Sequence, residues 1–599
     1  MRRFVVSQLV LLSWLLSGAA ICLGATKDAR RLGIGSLRFE GTHAFSAAQL
    51  RRIVVSRPTS FLRRSYFFPE VFQEDVKTVE LFYRQHAYLQ AQVTGQLARV
   101  DSARGVVHLE IHVDEGQLTR VEGVSVFENQ VFSDEVLLAK IDIRAGEPFQ
   151  ANKVEAATLS LLTFYANNGY LDAEVTPEVR LDHETHRALI DFRVRAKARC
   201  TIDQVRLVGL EKTRPRVVLR ELEFKPGDVV EYSRLLSSQR KLYLTGLFRG
   251  VFVRPQPAAS GDSTRRDILV DLKENDSGEF TVAFGYESVE RWRGRVEIAN
   301  SNWRGTARKF ALASRASFVN RGLEMSFTEP RTFGTPLRTD VNLLAEQLQE
   351  PGFDIRRVAN TIRLGRPFAA RSSLVLTFKN EIAELSHIRV TLAPERRRTV
   401  IRGLKLTAVH DTRDNMFNPT SGILLEWSNE FAGLFLRGTD SFVRSTGRMK
   451  WFHAVGASTV IATGAELGWM DTPGGMQKIP LHERFYTGGP NSLRGLAYRK
   501  AGPLDARGLP LGGRLKLLVN ALEVRQALYK SVGAVVFAEA GNVWSAPQEF
   551  KLSDLRPTVG VGLRLNTPIG LARLDYGVNM DRHAGERRGM LYFSMGHAF

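Results

Sequence analysis

The chain has 599 residues, 83 Lys+Arg against 63 Asp+Glu, and a formal charge of +20. With 44% apolar and 24% charged residues it is neither a wholly disordered chain nor a polytopic helical one. Its two cysteines exclude a disulfide scaffold and a four-cysteine zinc site, while the charge surplus leaves two partners open, nucleic acid or anionic lipid.

The first 25 residues read MRRFVVSQLVLLSWLLSGAAICLGA. Arg2 and Arg3 precede an apolar run from Phe4 to Leu16, and small residues follow near Gly24 and Ala25, which predicts a cleaved signal peptide over 1–25. Ser7, Gln8 and Ser13 interrupt the run and argue against a retained membrane anchor. Ile21 stands before Cys22 where a lipidated cysteine would follow a small residue. After cleavage Cys200 would be a lone thiol, read as a buried structural residue. Export weakens the nucleic-acid reading. No later run is long and apolar enough for a membrane helix, but a strand barrel escapes that test.

Three repeats follow. IGSLRFEG (34–41), VEGVSVFEN (121–129) and IDQVRLVG (202–209) are short β runs that end in turn residues. Each leads into a helical pattern starting at Ser46, Ser133 and Arg214, the two serines standing where N-caps belong. A second helix then leads to AYLQAQV, GYLDAEV and GLFRGVFV, with Tyr88, Tyr170 and Phe248 in corresponding places. A last β run closes each unit, so the order β-α-α-β-β occurs three times, over 33–116, 117–198 and 201–275. Free strand edges in such domains can take up an extended peptide, unless the domains are mere spacers.

From about Glu279 alternating runs such as FTVAFGY, SLVLTFKN and GAVVFAEAGNVW recur between turn residues. At roughly 20 residues per strand and turn, 279–599 predicts a closed antiparallel barrel of about sixteen strands. At its end Leu591, Phe593, Met595 and Phe599 fall on one strand face.

These features together resemble the POTRA-domain outer-membrane barrels that insert or translocate other proteins, a superfamily that includes BamA, TamA and the transporters of two-partner secretion. FYTGGPNSLRGLAYRKAGP (485–503) is similar to the family's Gly-Gly…Ser-x-Arg-Gly-aromatic segment, a loop folded into the barrel lumen; Gly489, Ser492, Arg494 and Gly495 match, and Leu496 replaces the aromatic, with Tyr498 nearby. The resemblance implies that Arg494 anchors the loop to a wall carboxylate, for which a planar guanidinium is suited. FAEAGNVW (537–544) offers Glu539 where the family has Asp, and Asp575 in LDYG is a second candidate. HDTRDNMFNPTSGILLEW (410–427) and FTEPRTFGTPLRTDV (327–341) look like family turns, so Asp411, Arg413 and Asp414 read as a turn network.

No Walker A, Gly-x-Ser-x-Gly or His-Glu-x-x-His sequence occurs. His183-Glu184-Thr185-His186 is one residue short of a zincin motif and falls at an expected hairpin turn. The expectation is no enzyme, no cofactor and no metal. Three repeats before one barrel resemble the TamA arrangement, which implies unfolded outer-membrane or autotransporter clients and an elongated periplasmic partner similar to TamB. A two-partner-secretion transporter is the alternative, with a BamA-type insertase or a passive pore behind it. The first strand, with Phe280, Val282 and Phe284, and the last, with Gly596 and Phe599, must pair to close the barrel; Gly596 favours a weak seam that opens sideways, or only relieves crowding. Residues 276–599 hold 44 Lys+Arg and 30 Asp+Glu, so the surplus sits mainly in the barrel, on lumen and rims that can meet anionic outer-membrane lipid rather than nucleic acid.

Overall fold

In the computed structural model residues 32–59, 65–391, 397–473, 475–567 and 570–595 are described. The signal peptide, Cys22, Gly596 and Phe599 lie outside the described residues. The first repeat runs β1 (Gly33–Glu40), α1 (Ala47–Ile53), α2 (Pro69–Gln85), β2 (Gln92–Asp101) and β3 (Val106–Asp114). Strand β3 is central, parallel to β1 and antiparallel to β2. Val107, Leu109, Ile111 and Val113 alternate along it and are buried in one core with Phe72, Val79 and Tyr83 of α2. Each such side chain contributes about 1.5–3 kcal/mol when fully buried, enough in sum to hold a short three-stranded sheet under its helix. Ser46 forms a capping box with Gln49 at the start of α1.

The second repeat runs β4 (Arg120–Phe127), α3 (Asp134–Leu138), α4 (Ala151–Asn167), β5 (Glu174–Asp182) and β6 (Arg187–Arg195), in sheet order β4-β6-β5. Ser133 has the N-cap backbone conformation, but its side chain makes no capping bond. The third runs β7 (Thr201–Val208), α5 (Pro215–Leu219), α6 (Tyr232–Leu244), β8 (Phe248–Pro257) and β9 (Arg265–Glu274), in order β7-β9-β8. The recurring glycine has a steric cause. Gly41 and Gly209 have φ of +75° and +85°, and a Cβ would stand 2.1 Å from the Val113 oxygen and 1.9 Å from that of Leu272. Tyr88 and Tyr170 pack edge-on against Tyr83 and Tyr165, whose hydroxyls donate to Glu115 and Asn129. Cys200 is buried, and burial pushes its thiol pKa up, which suits a structural residue. His183 and His186 lie in the β5–β6 turn and are not among the described clusters whose ligand atoms could share one metal ion.

The barrel is closed and has sixteen antiparallel strands. They are β10 (Gly278–Glu287), β11 (Arg291–Trp303), β12 (Arg308–Ser317), β13 (Asn320–Glu329), β14 (Arg338–Gln349), β15 (Asp354–Ala369), β16 (Ser372–Ser386), β17 (Arg398–Asp411), β18 (Gly422–Ala432), β19 (Phe442–Val455), β20 (Thr459–Asp471), β21 (Leu515–Tyr529), β22 (Val532–Trp544), β23 (Arg556–Thr567), β24 (Gly570–Asn579) and β25 (Gly589–Met595). Strand alternation sorts the side chains. Val559, Val561, Leu563 and Leu565 of β23 are exposed on the outer face, while Arg556, Thr558 and Arg564 face the other way. No described helix is long and apolar enough to cross a membrane, so any crossing falls to these strands.

Two compact units divide the chain, and the division runs through the third repeat: residues 206–223 and 237–254 belong with the barrel. Within that unit Arg331, in the β13–β14 turn, grips Glu221 with two guanidinium nitrogens, and Asn302 donates to Thr213 at 2.8 Å. The FTEPRTFG segment therefore serves a junction as well as a turn.

Candidate functional site

Between β20 and β21 the chain makes its longest connection, residues 472–514. Its contacts show where it lies. Glu483 meets Lys379 of β16 at 2.8 Å and Arg444 of β19, and Asn491 meets Arg573 of β24 at 2.7 Å. Strands β16 and β24 are eight places apart in a ring of sixteen, on opposite walls. Only a loop inside the ring reaches both.

The loop's turn starts at Gly488 and Gly489, whose φ values of +106° and +109° favour glycine. Gly488 N–H donates to Ser492 Oγ at 2.9 Å and Gly489 N–H to the Leu493 carbonyl at 3.1 Å. The turn presents Arg494 to the wall. A Cβ on Gly495 would stand 2.8 Å from Thr558, and one on wall Gly577 would stand 2.5 Å from the Arg494 carbonyl. Two missing side chains, one on each surface, let loop backbone lie against strand backbone.

Arg494 is buried and bound on several sides. Its Nε donates to Glu539 Oε1 at 2.8 Å, its backbone N–H to Glu539 Oε2 at 3.0 Å, and its Nη2 to Glu523 Oε2 at 2.7 Å. The guanidinium lies 3.4 Å from the Phe537 ring centroid. Glu539 is thus the direct partner. Asp575 stays at 3.9 Å and pairs with Arg564 at 2.6 Å. The extra methylene of Glu over Asp lets Glu539 reach both the side chain and the backbone of Arg494.

Glu523 did not emerge from the sequence, although Glu523 and Arg525 stand two apart on the lumenal face and pair at 2.8 Å. A second anchor, Glu483, was also missed. It is buried between Lys379 and Arg444, while His482 lies 3.3 Å from Glu381. No motif marks it, because its cations come from strands far away in sequence. Leu496 takes the place of the family aromatic by packing with Leu493 and Ala501. The Tyr498 ring lies over the motif's Gly489 and beside Arg499, which is paired with Glu350.

In the strand-connecting turn at 412–421 the charged groups bond one another and the backbone. Arg413 is bound to both oxygens of Asp411. Asp414 accepts from the Thr420 hydroxyl and from the backbone N–H groups of Thr420, Ser421 and Asn415, which holds its carboxyl down to about 2.

At the seam Phe280, Val282 and Phe284 are exposed on the outer face of β10. β10 pairs with β11 along its length, and with β25 at Tyr286–Met595 and Glu287–Ser594, up to the last described residue. Ser288 adds reciprocal bonds with Phe593: its N–H donates to the carbonyl at 3.0 Å, and its Oγ accepts from the Phe593 N–H at 2.8 Å.

Residues 302–599 match the Omp85 superfamily domain, and residues 33–116, 119–197 and 200–275 each match the POTRA model, described as a surface antigen variable number repeat. The chain is similar to the outer membrane protein assembly factor BamA of Nitratidesulfovibrio vulgaris, 25% identical over 591 residues, covering 96% of this chain and 74% of that protein. It is similar to BamA of Neorickettsia risticii, 25% identical over 576 residues, covering 92% and 76%. A crystal structure of Haemophilus ducreyi BamA lacking POTRA domains 1–3 shares the fold, with a TM-score of 0.69 at 19% identity over 80% of this chain and 99% of that one.

Proposed function

The chain belongs to the Omp85 superfamily and is an outer-membrane barrel with periplasmic POTRA domains, and from that premise we propose that it is an assembly factor for other outer-membrane proteins. Unfolded clients dock on the edge strands of the three repeats and are passed to the barrel, where the β10–β25 seam opens and templates an incoming strand. The observation that carries this reading is where the ring closes: its first strand, β10, meets its last, β25, at Tyr286–Met595 and Glu287–Ser594. Arg494, held by Glu539 and Glu523, keeps the lumenal loop seated while the seam works. The work is non-enzymatic and draws on strand pairing and burial alone.

Three repeats ahead of the barrel favour a TamA-like subtype that acts with an elongated periplasmic partner similar to TamB. Transport of an extended exoprotein through the lumen is the competing reading. The test is reconstitution of the full chain in phospholipid vesicles with an unfolded barrel client. Faster conversion of the client to its folded, heat-modifiable form supports assembly. Delivery of an exoprotein into the vesicle interior, with no gain in client folding, would overturn it.

A further inference from the structure

The loop that carries Arg494 also touches both sides of the seam. Asn491, at its tip, accepts a hydrogen bond from Arg573 Nη2 of β24 at 2.7 Å. Its Nδ2 points to Glu287 Oε1 of β10 at 3.5 Å, the outer reach of a hydrogen bond. Arg573 Nε also donates to Ser594 Oγ of β25 at 3.0 Å, and Ser594 stands opposite Glu287 across the seam. Five residues on from Asn491, the Leu496 carbonyl accepts from the Tyr592 hydroxyl of β25 at 2.6 Å. The loop thus holds the first strand on one side and the last two on the other.

The chemistry of Asn491 suits this place. Arg573 can only donate and an ionised Glu287 can only accept. A side-chain amide offers one of each, and the two partners fix its orientation. Asn491 lies inside a tight turn that ends next to Arg494, closed by Ser492 N–H to the Gly489 carbonyl at 3.2 Å and Gly489 N–H to the Leu493 carbonyl at 3.1 Å, so a shift at one residue moves the other.

We propose that Asn491 is a clasp: a positioning residue that ties the seated loop to both sides of the seam, so that seating of Arg494 and closure of the seam form one linked equilibrium. Linkage makes the effect reciprocal. Whatever factor the seated loop adds to seam closure, a closed seam adds to loop seating. A client that pries the seam open therefore loosens the loop, and a loop drawn off its anchor releases the seam. The proposal rests on the seam reading above and adds what regulates it.

The experiment uses the full chain in phospholipid vesicles without client, carrying Tyr286→Cys and Met595→Cys, which face each other across the seam. The readout is the rate of disulfide formation under mild oxidation, with heat-modifiable migration to verify a folded barrel. Asn491→Asp keeps the acceptor for Arg573 but sets a like charge against Glu287. It is expected to slow crosslinking about fivefold, the factor that one net hydrogen bond contributes. Glu287→Gln added to Asn491→Asp supplies a donor again and is expected to restore the rate, a rescue that a general packing defect would not show. Crosslinking of Asn491→Asp at the parental rate, or no rescue by Glu287→Gln, overturns the clasp. The seam reading has its own test: a crosslinked barrel that assembles clients at the normal rate refutes that reading, whatever the rates measured without client.

Discussion

Arg494 shows how far one side chain can be read in advance. Its buried position demands partners, because an isolated cation in such a site is costly. Arg494→Ala leaves Glu539 buried without its cation, with Glu523 held by Arg525 alone, and about 3–5 kcal/mol of local stability is expected to be lost. Arg494→Lys keeps the charge but not the fork that serves Glu539 and Glu523 together, so client assembly should fall about tenfold or more while the barrel still folds. Adding Glu539→Gln to Arg494→Ala removes an unpaired charge and should recover part of the folding yield, read by heat-modifiability. Asp414 gives a pH prediction. Its folded pKa is depressed to about 2, so its contribution is present above the unfolded value of about 3.9 and is lost as pH falls towards 2. Protease cleavage within 412–421 should rise over that window, and Asp414→Asn should show the same cleavage at neutral pH.

At the scale of elements, the repeats follow from period and punctuation. Alternation along β3, the glycine after β1 and the cap at Ser46 are local features, and each works within a few residues. The cap expectation succeeded at Ser46, where Gln49 stands three residues on to complete the box. At Ser133 the backbone turns alike but the side chain forms no bond. Edge strand β2 carries exposed Leu97 and Val100 on a sheet whose centre is β3. Replacing both with Lys should weaken capture of an unfolded client several-fold, since charged edges resist strand addition. Near-normal circular dichroism would show that the repeat itself is intact, and unchanged client binding would exclude β2 as the docking edge.

The whole molecule turns on closure of the ring. Locking the seam through Tyr286→Cys and Met595→Cys should abolish client insertion under oxidation and restore it on reduction, measured as folded client per barrel. Much of this architecture was legible in the chain: three β-α-α-β-β units, an alternating barrel of about sixteen strands, and a loop motif centred on Arg494. Those features rest on short-range order, meaning strand alternation, turn residues and a compact motif, and a linear sequence carries such order directly. The basic surplus was legible too, but only strand parity distributes it. Arg444, Lys379 and Arg525 turn inward to meet carboxylates, while the outer face stays apolar. The choice of Glu539 over Asp575, the second wall partner Glu523, the remote anchor at Glu483 and the contact of Asn491 with both sides of the seam were decided by the tertiary structure alone. Each joins residues tens to hundreds of positions apart, and their distances are set by barrel radius and strand register, which exist only once the sixteen strands have closed.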